Sequence, residues 1–139
     1  MAYTHQSEGT VRRAVATTLF RDFVHGAPGM PDIWPIAALS DDLMALLGVR
    51  NRILWLSHQT LGAHLRKHPE IGPDEYALIP MILERGMIWQ IRPGRFLVLE
   101  PESEMRMAIK AEKSGKWGWV LSLVRSSRLK PPSQAILIR

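Results

Sequence analysis

Apolar residues recur along this chain with two different periods, and the change falls near Gly86. In TVRRAVATTLFRDFV, Val11, Val15, Leu19 and Phe23 repeat at helical spacing, while Arg12, Arg13 and Asp22 fall elsewhere on the wheel. Thr10 is placed to cap this helix and His25-Gly26 to end it. The prolines of GAPGMPDIWP make a turn-rich connector, because they cannot sit inside a helix. A second helix is expected over residues 36–47, with Gly48 in the stopping position. ILWLS, residues 53–57, is short, apolar and β-prone, which predicts a strand. Ser57 then caps a helix over residues 58–67, closed by Pro69. Pro73, Asp74 and Glu75 open a further helix, since a proline and two acids suit its first turn. It runs to Glu84 or Arg85 and stops at Gly86, with a kink or break at Pro80.

Beyond Gly86 the period is two. MIWQI, RFLVLE, MRMAIKAE and WGWVLSLVR read as strands joined by RPG, PESE and KSGK. The apolar AILI of the tail adds an edge strand or meets a partner. The expected fold is therefore α+β, with N-terminal helices packed on a C-terminal four-stranded antiparallel meander sheet. Residues 1–50 form the helical segment, 51–130 the α+β domain and 131–139 a tail, all within one compact unit. A two-residue turn at Ser114-Gly115 would set Lys110 opposite Trp119 and Arg106 opposite Leu123. One face then carries Arg106, Lys110, Trp117, Trp119 and Arg125, and the other Met105, Met107, Ile109, Val120 and Val124. A slip of one residue would instead bury the tryptophans.

Composition narrows the class. At 139 residues, 46% hydrophobic and 22% charged, the chain fits one domain with a real core. No apolar run is long enough to span a bilayer. MAYTHQSEGT lacks the basic start and apolar block of a secretory leader. The absence of cysteine excludes disulfides and thiolate metal sites, and fits the cytoplasm. The net charge is +5, and residues 92–130 hold nine Lys/Arg against four Glu. Basic charge so placed favours RNA or another polyanion as partner, the alternative being an idle basic surface.

The chemistry centres on HLRKH. His64 and His68 are four apart, so a helix puts both rings on one face. Three readings are open. A zinc helix of the HExxH type needs a glutamate where this chain has Leu65, Arg66 and Lys67, so no metal is expected. A structural reading has protonated rings complementing a helix C-terminus. The third is acid–base chemistry on RNA, in which imidazole removes the 2′-OH proton and a second group protonates the leaving 5′ oxygen. Lys67 would then neutralise charge building on the phosphate. The cations and aromatics Lys67, Arg106, Lys113, Lys116, Trp117 and Trp119 match those of single-strand nucleic-acid platforms. Asp41-Asp42 reads as a helix first turn rather than a catalytic dyad.

The order ILWLS, HQTLGAHLRKHPEIGPDEYALIPMIL, then strands containing AIK and ending in SLVRSS resembles a phage-associated branch of the barnase–EndoU–colicin–RelE ribonuclease group. The resemblance covers residues 52–128. It implies helices on a four-stranded antiparallel sheet and metal-independent RNA cleavage across the sheet face, leaving a 2′,3′-cyclic phosphate and needing no cofactor. It also implies His64 or His68 as general base, Lys110 and Arg125 holding the phosphate, and Ser122 orienting it. One departure is that many members carry a histidine or other strong acid–base group near the last strand, and SLVRSS has none. The alternative is a catalytically inactive phage or mobile-element protein that binds a host nuclease or defence complex; an antitoxin is a further protein partner implied by a toxin-like domain.

Overall fold

The structure, a computed structural model, describes residues 19–139. Residues 19–24 are helical and end at Gly26, whose φ of 67° suits glycine. The rest of the helix expected from Thr10 lies outside the described residues. The elements that follow are β1 (Ile33–Ala38), α1 (Asp41–Leu47), β2 (Ile53–Ser57), α2 (His58–Lys67), α3 (Pro73–Tyr76), α4 (Ile79–Arg85), β3 (Met87–Arg92), β4 (Arg95–Glu100), β5 (Met105–Ala111), β6 (Gly118–Arg125) and β7 (Ile136–Leu137).

The sheet departs from the expected four-stranded antiparallel meander. It has seven strands in the order β1-β2-β6-β5-β4-β3-β7 and is mixed, because β2 runs parallel to β6. The meander β3–β6 is its centre; β1 and β2 extend one side, and β7 pairs with β3 on the other. Strands from residues 1–50 and 131–139 thus join the same sheet as residues 51–130.

The N-terminal half is likewise not a set of helices alone. The helix expected over residues 36–47 begins at Asp41, where Ser40 Oγ accepts from Leu43 N at 3.2 Å. Ile33 to Ala38 are instead a strand, antiparallel to β2. The reason is tertiary. β2 makes only two pairs with β6, Leu54–Gly118 and Trp55–Trp119, and β1 satisfies the backbone of its other edge. The remaining local signals hold. Gly48 stops α1 with φ 71°, Ser57 Oγ accepts from Thr60 N at 3.0 Å, and Pro80 divides its helix into α3 and α4.

One face of the sheet carries the core. Leu54, Leu56, Ile88, Phe96, Val98, Met105, Met107, Ile109, Val120 and Leu123 pack beneath Leu43 and Leu47 of α1, Leu61 of α2, Tyr76 of α3, and Ile79, Ile82 and Leu83 of α4. Burying side chains of this size contributes about 1.5–3 kcal/mol each before the entropy of ordering them is counted. Alternate residues point to the opposite face. There Leu97 and Leu99 are also buried. Residues 126–135 connect β6 to β7, which lies at the far end of the strand order beyond β5, β4 and β3. Arg139 anchors the end of this tail by donating to the carbonyls of Leu83 and Gly86.

The β5–β6 register matches the expected hairpin at Lys110–Trp119 and then changes. Ile109 faces Val120, but Ala108 faces Ser122, so Leu121 is an extra residue in β6. This bulge sets Arg106 opposite Val124 rather than Leu123. It also puts Val124 on the face with Arg106, and Arg125 on the face with Met105, the reverse of the alternation expected for both.

Candidate active site

α2 follows β2 with no connector, since Ser57 both ends the strand and caps the helix. β2 therefore turns away from β6 after Trp55, and α2 lies along the β6 edge that β2 has left. His64 marks the contact. It is 8% exposed, and its Nε2 lies 2.6 Å from the Leu123 carbonyl oxygen. The Leu123 amide is also within 3.4 Å of the same nitrogen, so two proton placements compete. The shorter contact decides, because a bare lone pair would repel a carbonyl oxygen at 2.6 Å. Nε2–H donates, and in the neutral ring Nδ1 carries the lone pair. Tyr76 packs edge-on against this ring, and burial raises the phenol's pKa, keeping it protonated.

Beside His64 is a hollow of about 420 Å³, lined by Gln59, Thr60, Ala63, Lys67, Leu121 and Ser122 as well as His64 itself. Imidazole, ammonium and hydroxyl thus meet from two segments far apart in sequence. The His68 ring centroid is 4.9 Å from that of His64. His68 is more exposed, and its Nδ1 is 3.2 Å from Glu70 Oε1. The Glu70 carboxyl is held below its usual pKa chiefly by its own backbone amide, against an opposing effect of burial, with the hydrogen bond and charge of His68 adding to the lowering. Among the described residues no group of three or more His, Asp or Glu side chains is arranged to hold a metal ion.

The bulge also determines which residues of β5 neighbour Ser122. Ser122 faces Ala108, and Arg106 and Lys110 lie two residues to either side of Ala108 on the same face. Such diagonal neighbours are about 7–8 Å apart at the backbone, within reach of long cationic side chains. The small Ala108 leaves space between them. Arg125 is elsewhere: it is exposed, its ladder partner is Met105, and it donates to the Ser103 carbonyl at 3.1 Å. Lys113 and Lys116 are exposed on the β5–β6 turn.

The tryptophans face away from the helix layer. Trp117 stacks on Trp55 at 5.4 Å and 22°, and on Trp119 at 5.7 Å and 27°. Trp119 Nε1 donates to Glu112 Oε2 at 3.1 Å, fixing that indole. Trp55, Arg92 and Arg95 belong to the same face and were not among the residues singled out from sequence. Alternation in ILWLS separates Trp55 from Leu54 and Leu56, but only the β2–β6 pairing puts it beside Trp119.

Among the described residues no helix is long and apolar enough to cross a membrane. Comparison with models of protein families, with curated proteins and with solved structures returns no match for this chain.

Proposed function

We propose that this chain is a metal-independent endoribonuclease of the toxin-like kind carried by phages, working in the cytoplasm on RNA. The observation that carries the reading is the hollow joining His64 and Lys67 of α2 to Ser122 of β6, with Arg106 and Lys110 on the adjoining strand. A phosphate resting over Ala108 would meet the Ser122 hydroxyl and both strand cations. His64 Nδ1 takes the 2′-OH proton as the 2′ oxygen attacks phosphorus. The P–O5′ bond breaks, His68 protonates the departing oxygen, and a 2′,3′-cyclic phosphate remains. The backbone bond to Leu123 orients the His64 ring so that one nitrogen alone serves as base. Lys67, Lys110 and Arg106 stabilise the charge that grows on the phosphoryl oxygens.

The test is cleavage of a mixed RNA pool by purified, folded protein in EDTA, with end-group analysis. The expected result is cyclic phosphate termini and a loss of rate in Ser122→Ala and Lys110→Ala. An RNA pool left intact by the unaltered protein would overturn the reading.

A second reading draws on β7, the edge strand, where Ile136 is 65% and Leu137 49% exposed. An apolar edge of this kind suits β-pairing with a host nuclease or defence complex. A stable protein complex without RNA loss, abolished by Ile136→Lys, would favour that reading.

A further inference from the structure

Following the strand ladders across the face opposite the helices, the residues side by side are Pro35, Trp55, Trp119, Lys110, Arg95 and Arg92. Strands lie 4.7–4.9 Å apart, so this row is roughly 24 Å long. Its first half is rings and its second half is cations.

Both halves lack the partners that an idle surface would have. Arg92, Arg95 and Lys110, with Lys113 of the turn, line a hollow of about 350 Å³. Glu112 is the carboxylate lining it, and that carboxylate already accepts from Trp119 Nε1. Among the described residues none of the four cations forms an ion pair; the bridges that exist use Arg21, Arg52, His68 and Arg85. Four like charges around one hollow repel one another until an anion enters. In the other half, Trp55, Trp117 and Trp119 form a continuous stack and each stays partly exposed. Indole faces beside a cationic hollow fit a polymer that alternates flat rings with phosphates. A duplex hides its ring faces in its own stack, so the polymer is single-stranded.

We propose that this row is a track for single-stranded nucleic acid, with phosphates in the Arg92–Arg95–Lys110–Lys113 hollow and bases on the tryptophan stack. The inference deepens the nuclease reading by naming the substrate class, and rests on it only for the choice of RNA over DNA. The row lies two residues along β5 from Ala108, roughly 7 Å, so it holds the nucleotides next to the phosphate to be cut.

The test is fluorescence anisotropy with labelled oligonucleotides of about twelve residues, alongside tryptophan emission. The strands are 2′-O-methyl RNA, which has no free 2′-OH and cannot be cut, single-stranded DNA, and duplex RNA; heparin serves as a plain polyanion. Single strands should bind and quench the indoles, and the duplex should bind at least about tenfold more weakly. Arg92→Gln/Arg95→Gln should weaken binding about tenfold and flatten the slope of log affinity against log salt by about 1.4, or 0.7 per lost phosphate contact. Trp117→Leu should weaken binding about tenfold with the salt slope unchanged. Unaltered circular dichroism in the arginine variant keeps the result interpretable if Trp117→Leu fails to fold. Equal binding of duplex and single strand would overturn the track. So would binding of heparin and RNA alike without quenching, or an arginine variant that binds as the parent does. Tight binding of the methylated strand by a protein that leaves ordinary RNA intact would sink the nuclease and leave the track standing.

Discussion

His64 has two jobs in this structure, one for each ring nitrogen, and two substitutions separate them. Nε2–H donates to the buried Leu123 carbonyl at 2.6 Å, and Nδ1 is the proposed base. His64→Gln places an amide N–H where Nε2–H was but offers no basic nitrogen. His64→Ala removes both. In the alanine variant the Leu123 oxygen loses its partner inside the protein, at about 1–3 kcal/mol. Loss of the ring packed against Tyr76 brings the total to about 2–4 kcal/mol. For a chain of this length that lowers Tm by roughly 10 °C. The glutamine variant should stay within about 1 kcal/mol of the parent. Both should lose about 10²–10⁴-fold in cleavage rate, the usual contribution of a general base. Urea unfolding followed by tryptophan emission gives the stabilities, and single-turnover cleavage of a short RNA gives the rates. If His64→Gln is as unstable as His64→Ala, the assignment of the donor to Nε2 is wrong. If His64→Gln cleaves at the parent rate, the ring is a structural peg and not a base.

Two further outcomes test the fold around the site. Gly86 ends α4 where a Cβ would lie 2.5 Å from Val98 Cγ1 and 2.6 Å from the Ile82 carbonyl oxygen, so Gly86→Ala should cost about 3 kcal/mol in urea unfolding. Parent-like stability would mean that α4 and β4 are not so closely apposed. Glu100 is 3% exposed and accepts from the Ser103 hydroxyl and from the amides of Ser103 and Glu102, which hold its carboxyl below the usual pKa, against an opposing effect of burial. Because the folded value is the lower one, its stabilisation is complete above the unfolded value of about 4.3 and fades as pH falls through the folded value. Glu100→Gln should therefore lower Tm at pH 7 but converge on the parent once the pH has fallen through the folded value, and a gap that stays constant throughout the acid titration would refute the linkage.

How much of this was legible beforehand depends on the range of the interaction involved. The Ser57 and Ser40 caps, the stop at Gly48 and the break at Pro80 follow from the sterics and hydrogen bonding of a few neighbouring residues. The helix carrying HLRKH and the four strands after Gly86 were readable for that reason, because their apolar periods are long and regular. Ser40 stands inside the helix expected over residues 36–47, and its cap is the point from which α1 starts, because the residues before it are taken into β1.

The chain's local composition by itself determined where helices start and stop, which turns close hairpins, and that acid–base and cationic side chains sit where they do along the chain. The choice of β1 as a strand, the parallel β2–β6 pairing and the bulge at Leu121 came only with the tertiary structure. Each of these satisfies backbone groups against a partner distant in sequence, and no residue reports such a partner locally. A single inserted residue then reversed the faces of Ser122, Val124 and Arg125, which put Ser122 on the face of Arg106 and Lys110 and took Arg125 off it. Side chains in a strand alternate, so a register change of one residue decides which groups can meet.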